Sequence, residues 1–391
     1  MITITDRAKQ LIAEILQSGR ISNGKYVREF EQRFAELIGR EFAVAVSSGT
    51  DAIALALSVL YDYGAQRGDE IIVPALSFVS TGNAVLQAGF TPVFVDIERE
   101  TLNINPALIE TSITGKTRAI LPVHLMGKPA NMFAIWDIAA PLGLTVIEDA
   151  AEAYGARYDG RLTGRWGGMA TFSTYIAHVI STGEGGVVVT DNPRYAEILR
   201  SLRSHGRACV CESCLLNSAS GYCPKRFIDG QDIRFVHERI GFSAKMNELE
   251  AAIGLGTLDI FLDILTKRQF NLRYLREKFH QFSDRLVTIE PEVLETTGPH
   301  AFPIIVQEEA GFTRDELALY LEQNGIETRS LFASMPTQCT GFKFLGYQLG
   351  DFPEAEYIGN NGFHVGVHQD LTTEHLDYFI ETVEKFLSCK V

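Results

Sequence analysis

The chain has 391 residues, of which 46% are hydrophobic and 21% charged, and its formal net charge is −14. This composition predicts an ordered globular protein, long enough for a large α/β domain and a smaller second domain, and argues against a disordered chain. The acidic excess disfavours binding to nucleic acid or to an acidic membrane surface, because like charges repel at long range. A phosphorylated small ligand stays compatible with it, since a local pocket can be positive.

The N-terminal segment does not resemble a secretory signal. The first 24 residues mix acidic, basic and apolar side chains, unlike the basic start and apolar core of a secretory signal. The sequence has no run of about 18 uncharged apolar residues, so we expect no membrane span. Six cysteines in a chain of this length do not predict a disulfide scaffold. We therefore expect a cytoplasmic protein.

Short apolar runs alternate with longer amphipathic stretches over the first two-thirds of the chain. This spacing predicts a mostly parallel β-sheet with helices on both faces. From about Met246 to Leu275 a helical pattern predicts a helix that connects a large domain (1–260) to a small C-terminal α+β domain (261–391). The predicted strands are Phe42–Val46, Ile71–Val73, Pro92–Val95, Ala119–Val123, Leu144–Ile147, Ala170–Ser173 and Val187–Thr190.

Polar side chains follow several of these strands. In open α/β sheets the ligand binds outside the carboxyl ends of the strands, so we expect these residues to line one crevice. They are Ser47-Ser48, Asp96, His124, Asp149 and Ser173-Thr174.

Three segments in this crevice carry chemistry. The turn through Gly49 and Thr50 joins a strand to a helix start, which is either an anion site or an ordinary N-cap. Asp149 directly follows a buried strand, where it either pairs with a protonated ring nitrogen or begins a helix. His178 stands alone between a strand end and the glycine-rich return at 182–186, and by itself is more often structural than catalytic.

Four cysteines crowd into fifteen positions, at Cys209, Cys211, Cys214 and Cys223. Such a cluster can hold one tetrahedral metal ion or one iron–sulfur centre. The alternative is a set of ordinary buried thiols, which rarely cluster so tightly. The spacing leaves zinc and iron–sulfur open.

Taken together, these segments resemble the DegT/DnrJ/EryC1/StrS sugar aminotransferase family over nearly the whole chain. The resemblance implies fold type I of the pyridoxal phosphate enzymes, as a homodimer with its sites at the interface. The motifs that carry it, in the family's order, are Ser48-Gly49-Thr50, Pro74–Phe78, Glu148-Asp149-Ala150-Ala151, Phe172-Ser173, Thr182-Gly183-Glu184-Gly185-Gly186 and Lys245–Gly254.

The same resemblance implies roles for individual residues. Asp149 would pair with the pyridine nitrogen, and Glu152 stands where many members have His or Gln near the ring hydroxyl. Ser243 replaces the Asn that reaches the other subunit's phosphate in many members. The remaining cofactor contacts would be to the phosphate from Gly49, Thr50 and Ser173, and to the ring face from Phe78.

One departure changes the expected reaction. Transaminating members carry Lys five residues after the Ser, but His178 occupies that position here, and no lysine lies between Lys128 and Lys225. Imidazole cannot form the covalent lysine linkage, whereas a neutral His can remove a proton near pH 7. Within the family this exchange resembles the 3-dehydratases of nucleotide-linked 4-keto-6-deoxy sugars, which use pyridoxamine phosphate. His178 is then the expected acid–base catalyst.

The cysteine cluster resembles one branch of these dehydratases. In that branch a 2Fe–2S cluster carries electrons from a partner reductase to the cofactor and sugar. We therefore expect an iron–sulfur cluster in a cysteine-rich insertion at about 205–235, with zinc as the alternative. Two other functions stay open: a different cofactor-dependent conversion of a keto or amino sugar, and a non-catalytic sensor or scaffold that kept the fold.

Overall fold

A computed structural model describes residues 3–209, 211, 223, 226–228 and 230–390 of the chain. In chain order, the strands are β1 (Phe42–Val46), β2 (Glu70–Pro74), β3 (Leu76–Ser77), β4 (Thr91–Val95), β5 (Thr117–Ile120), β6 (Thr145–Asp149), β7 (Arg157–Tyr158), β8 (Arg161–Leu162), β9 (Met169–Ser173), β10 (Gly186–Thr190), β11 (Phe227–Ile228), β12 (Gln231–Asp232), β13 (Leu286–Val287), β14 (Glu295–Thr296), β15 (Ala301–Val306), β16 (Thr328–Ser330), β17 (Ala333–Ser334) and β18 (Gly362–Gly366).

Helices occupy most of the segments between the strands. They are α1 (Asp6–Ser18), α2 (Lys25–Ile38), α3 (Gly49–Ser58), α4 (Ser80–Gln87), α5 (Pro106–Ile109), α6 (Met132–Leu142), α7 (Pro193–Leu202), α8 (Glu248–Asp259), α9 (Phe261–Phe279), α10 (Arg314–Gln323), α11 (Met335–Gln338), α12 (Pro353–Asn361) and α13 (Thr373–Ser388). In the part of the chain that the structure covers, no helix combines the length and apolar character needed to cross a membrane.

The seven strands predicted from apolar runs form the central sheet, in the order β1-β10-β9-β6-β5-β2-β4. All neighbours pair in parallel from β9 to β4, whereas β10 runs antiparallel to both β9 and β1. Their residues are almost all buried, because helices cover both faces of the sheet. The mostly parallel α/β architecture predicted from the sequence is confirmed.

A second, four-stranded antiparallel sheet has the order β13-β15-β18-β16. It shares a separate hydrophobic core with α9, α10 and α13, built around residues such as Leu272, Phe302, Leu317 and Phe379. The predicted domain boundary after residue 260 falls between α8 and α9. The segment around β17 nevertheless returns to pair with β3.

The helical stretch from Met246 to Leu275 is two helices instead of the single one predicted. α8 begins in a capping box of Asn247 and Glu250, and α9 continues to Phe279. Ile260 leaves helical geometry at φ −110° and ψ 9°. Just before it, the Asp259 carboxylate accepts from Arg7 at 3.1 Å and Arg33 at 2.8 Å, which fixes the end of α8 against the N-terminal helices. These contacts come from residues more than 200 positions away.

Candidate active site

The carboxyl ends of β1, β6 and β9 meet at one edge of the central sheet. Asp149 ends β6 and lies beside Thr171 of the parallel strand β9. Gly49, three residues beyond β1, approaches Ser173 at the end of β9 so closely that an added Cβ would lie 2.7 Å from the Ser173 Cβ. The structure therefore brings together three of the residues that the sequence predicted for one crevice.

Gly49 and Thr50 form the first turn of α3, whose N-terminus faces Ser173. Ser48 caps the helix, because its hydroxyl accepts from the backbone N–H of Asp51 at 3.0 Å. The first N–H groups of a helix have no intrahelical acceptor and carry the positive end of its dipole. Only glycine at position 49 allows the helix start to approach Ser173 this closely. The unpaired N–H groups and the nearby hydroxyls together form a cradle suited to a phosphate.

Asp149 is a deeply buried carboxyl group, 4% exposed. It accepts from the Thr81 hydroxyl at 3.1 Å and from the backbone N–H of Ala151 at 3.2 Å. Burial, together with the charge of nearby Glu152, raises its pKa to about 6. A buried carboxyl in this state is poised to pair with a cationic ring nitrogen, which would lower the pKa again.

Glu148, which precedes it, has a structural environment. Its carboxylate accepts from the backbone N–H groups of Gly164, Trp166 and Gly167 at 2.7 Å each, and lies 3.1 Å from His124 Nε2. Burial opposes its ionisation, but His124 and the N–H groups prevail and hold its pKa below the ordinary value. This carboxylate is fully satisfied within the protein and is not available to a ligand.

Glu152 lies three residues beyond Asp149 and is almost completely buried. Its Oε2 accepts from the backbone N–H of Met126 at 2.7 Å, and its Oε1 lies 3.5 Å from His300 Nε2. Burial raises its pKa to about 7, so a large part of the group is protonated at neutral pH. A neutral carboxyl can donate a hydrogen bond, which a carboxylate cannot.

His178 lies on the loop between β9 and β10. The loop is closed by Thr174 and Thr182, whose hydroxyls are 2.7 Å apart. Gly185, with φ +150°, allows this closure, because an added Cβ would lie 2.5 Å from both hydroxyls. The glycine-rich return thus has a steric cause, and it holds the turn in which the His178 N–H donates to the Tyr175 carbonyl.

The His178 ring is half-buried, and its Nδ1 is enclosed without a hydrogen-bond partner among the described residues. Burial, followed by the proximity of His300 and Arg268, holds its pKa well below the ordinary value. The ring is therefore neutral at pH 7 and able to accept a proton. The nearest lysine that precedes it in the sequence is engaged elsewhere: the Lys128 ammonium is buried against Glu295 and donates to the Glu290 carbonyl.

His300 was missed by the sequence analysis. Its ring centroid lies 5.3 Å from that of His178 and 6.5 Å from that of His364. A lone polar residue in Gly298-Pro299-His300, just before a buried strand, was the available signal. Its partner Glu152 is 148 positions away in the chain, and only the tertiary structure brings the two together.

The remaining predicted cofactor residues are at the surface of this chain. Phe78 is 55% exposed and meets the ring of Phe332 edge-on at 5.8 Å. It follows Ser77, whose hydroxyl lies 2.9 Å from that of Thr81, the donor to Asp149. Ser243 is exposed, on a segment anchored near the phosphate cradle by the Ser47 N–H, which donates to the Ala244 carbonyl at 3.1 Å.

Three of the predicted metal ligands lie within the described residues, and Cys214 lies outside them. Cys209 and Cys223 are half-buried, and Cys211 is exposed. Among the described residues, no three His, Cys, Asp or Glu side chains converge closely enough to hold a metal ion. The three described thiols alone therefore do not make the predicted centre.

A cleft of about 580 Å³ opens between the loop of His178 and the small sheet. Its wall includes His300, His364 and His368, together with Arg268 and Arg329. The Arg329 guanidinium pairs with Glu327. His364 lies on β18, and burial lowers its pKa to about 3.

Comparison with known proteins gives the same architecture. The chain is 35% identical to a dTDP-4-dehydro-2,6-dideoxy-D-glucose 3-dehydratase of Saccharopolyspora spinosa, with 94% of this chain and 82% of the relative covered. It is 32% identical to a GDP-perosamine synthase of Escherichia coli O157:H7, with 99% and 98% covered. An E. coli GDP-4-keto-6-deoxy-D-mannose-3-dehydratase with bound hydrated PLP matches at a TM-score of 0.85 and 28% identity, with 98% of each chain covered.

The fold class inferred from the resemblance, fold type I of the pyridoxal phosphate enzymes, is confirmed by these neighbours. The relatives include 3-dehydratases, as the exchange of Lys for His predicted, alongside a GDP-perosamine synthase. A family profile matches residues 3–384, nearly the full length. The chain belongs to the DegT/DnrJ/EryC1/StrS aminotransferase family.

Proposed function

We propose that this protein is a pyridoxal or pyridoxamine phosphate-dependent lyase that removes the 3-hydroxyl of a nucleotide-linked 4-keto-6-deoxy sugar. The observation that carries the proposal is the neutral, half-buried imidazole of His178, at the position where transaminating relatives need a lysine. An imidazole moves protons but cannot hold the cofactor covalently. The 3-dehydratases among the relatives support the same reaction class.

The described residues fit the cofactor. Gly49, Thr50 and Ser173 would hold the phosphate in the cradle at the start of α3, and Asp149 would pair with the ring nitrogen. These fits rest on the space that only glycine leaves beside Ser173 and on a buried carboxyl that gains from a cationic partner. Phe78, large and exposed beside this edge, would cover one face of the ring.

When bound, the cofactor supplies an amine for the 4-keto group and a ring that accepts an electron pair. The protein's own residues supply the rest. Asp149 would keep the ring nitrogen protonated, and Glu152, partly protonated at neutral pH, would donate toward the ring hydroxyl. His178 removes the proton from the 4′ carbon, which its low pKa permits at neutral pH. His178 would then give this proton to the departing 3-hydroxyl, which would leave as water.

Substitution of His178 tests this assignment. His178→Asn should bind pyridoxal phosphate with the wild-type dissociation constant but lose dehydration of candidate 4-keto-6-deoxy sugars by a factor of at least about 100, the range of a general base. His178→Lys should instead become reducible by borohydride to a covalent pyridoxyl adduct. Wild-type turnover by His178→Asn, or a borohydride-trapped adduct in the wild type, would refute the role of the imidazole.

The same assay separates the alternative functions. Loss of water from the sugar indicates the lyase, and amine transfer or deamination indicates another cofactor-dependent conversion. Binding of cofactor and sugar without any product indicates a sensor or scaffold. The phosphate cradle and Asp149 argue against the last, because a site without chemistry has no need of a destabilising buried carboxyl.

We also propose a metal centre at Cys209, Cys211, Cys214 and Cys223, with 2Fe–2S preferred to zinc. The support is the spacing of four thiols within fifteen positions. Anaerobically purified protein should absorb visible light, bleach on reduction and contain two irons per chain. Colourless protein with one zinc per chain indicates the alternative, and absence of both metals removes the centre. A partner reductase is proposed only together with the iron–sulfur form.

A homodimer completes the proposal. Ser243 is exposed, and in the proposed dimer its hydroxyl would reach the phosphate bound by a second copy. Light scattering should give twice the 43.3 kDa chain mass. Ser243→Ala should then weaken cofactor binding without dissociating the dimer. A monomeric protein that binds the cofactor fully would exclude this contact.

A further inference from the structure

His300 lies next to both Glu152 and His178, which share no hydrogen bond with each other among the described residues. It precedes β15 of the small sheet, whereas Glu152 and His178 belong to the segments around the large sheet. Its Nε2 lies 3.5 Å from Glu152 Oε1. Its ring faces that of His178 at 5.3 Å between centroids, with the planes tilted by 38°. The imidazole of His300 thus contacts Glu152 through its Nε2 edge and His178 through its ring face.

The groups around His300 leave it uncharged. Glu152, His178, His364 and Arg268 are the titratable or charged groups that face it. Burial, followed by the Arg268 guanidinium, lowers the pKa of His300 to about 3. Arg268 itself is 6% exposed and donates to the amide oxygen of Gln369 at 2.9 Å. The contact between His300 Nε2 and Glu152 Oε1 is therefore made by an uncharged imidazole, whose Nδ1 has no hydrogen-bond partner among the described residues.

We propose that His300 is a positioning residue that fixes the Glu152 carboxyl and the His178 imidazole relative to each other. The carboxyl has two anchors: the Met126 N–H at Oε2 and His300 at Oε1. The face of His178 rests on His300, which restricts rotation of the base. This role rests on the proposed function, since it orients the groups that would act on the cofactor's hydroxyl and 4′ carbon.

Two substitutions separate the two contacts. His300→Phe keeps an aromatic face for His178 but removes the polar contact to Glu152. His300→Gln keeps a polar atom near the position of Nε2 but removes the ring. His364→Phe is the matched control, because it removes another buried histidine, whose ring centroid lies 6.5 Å from that of His300. Urea unfolding of all variants identifies any that fail to fold.

Cofactor spectra report the Glu152 contact without turnover. Loss of the polar contact at Oε1 should change the balance between the neutral and ionised forms of Glu152. In His300→Phe the pH midpoint of the bound cofactor's visible absorbance should therefore shift by at least about half a pH unit. In His300→Gln it should stay at the wild-type value.

Exchange of the 4′ hydrogen of bound pyridoxamine phosphate for deuterium reports the His178 contact. Misplacement of a base by about 1 Å costs up to about 100-fold in rate. We expect His300→Gln to slow exchange at least tenfold while its pyridoxal phosphate dissociation constant changes less than about threefold. His364→Phe should match the wild type in both assays.

Wild-type midpoints and exchange rates in both His300 variants would overturn the positioning role. Equal losses in His364→Phe and His300→Phe would also overturn it, because they would indicate general packing. Failure of the proposed function looks different: the wild type itself would then bind no cofactor or show no exchange dependent on His178.

Discussion

The buried carboxyl of Asp149 should make the cofactor-free protein less stable than a variant with no charge at this position. Asp149→Asn keeps the shape of the side chain and removes its charge. The amide oxygen can accept from the Ala151 N–H as the carboxylate does, and the amide nitrogen can donate to the Thr81 hydroxyl, which can turn its hydrogen to Ser77. The substitution therefore tests the charge and leaves the hydrogen-bond network intact.

The magnitude follows from linkage between folding and protonation. The pKa of Asp149 is about 6 in the folded protein and 3.8 in the unfolded chain, so the folded state holds its proton to higher pH. Stability is then lost as the pH rises from about 4 to about 6, and the loss is about 3 kcal/mol at about 1.4 kcal/mol per pH unit. At pH 7 Asp149→Asn should recover this amount, and at pH 4 almost none of it.

Urea unfolding of the cofactor-free proteins measures the difference. With an unfolding entropy of about 2.1 cal/mol/K per residue over 391 residues, 3 kcal/mol corresponds to a rise of about 4 °C in Tm. Pyridoxal phosphate should stabilise the wild type and have little effect on the variant, which cannot hold a charged ring nitrogen. Asp137→Asn, at an exposed position, is the matched control for loss of one charge and should change neither property.

Two results would refute this reasoning. A destabilised Asp149→Asn at pH 7 would mean that the ionised carboxylate is satisfied in the folded protein. A stability gain of the same size at pH 4 and pH 7 would mean that proton linkage is not its cause.

Three other substitutions test the frame of the site. Gly49→Ala should raise the dissociation constant for pyridoxal phosphate at least about tenfold in a spectroscopic titration, because its Cβ would lie 2.7 Å from that of Ser173; Gly115→Ala, where a Cβ meets open space, is the control. Glu148→Gln should cost about 3 kcal/mol or more in urea unfolding, because its amide nitrogen would face N–H donors. Tyr154→Phe should cost about 1 kcal/mol in the same assay, because it removes the 2.8 Å hydrogen bond to the Ser173 carbonyl. Unchanged stability in Glu148→Gln or in Tyr154→Phe would contradict the structural role of that residue.

The strands of the central sheet were readable from the sequence. All seven apolar runs are strands, and the predicted bounds agree within three residues. The reason is that strands covered on both faces need apolar residues at nearly every position. Since ligands bind at the carboxyl ends of such strands, residue order alone assigns Gly49, Asp149 and Ser173 to one crevice. Their individual roles toward the cofactor came from the resemblance and stay proposals.

Long-range contacts were beyond the sequence. Nothing in the local pattern shows that β10 inserts antiparallel between β1 and β9, or that the helix after Met246 breaks at Ile260. The protonation states of the side chains in the site also depend on contacts between distant parts of the chain. The Glu152 carboxyl is partly neutral at pH 7 because the folded chain buries it, and His300 reaches it from 148 positions away. Local residue order determined the strands and the polar turns, whereas burial and packing, which depend on the whole chain, decided their charge states and partners.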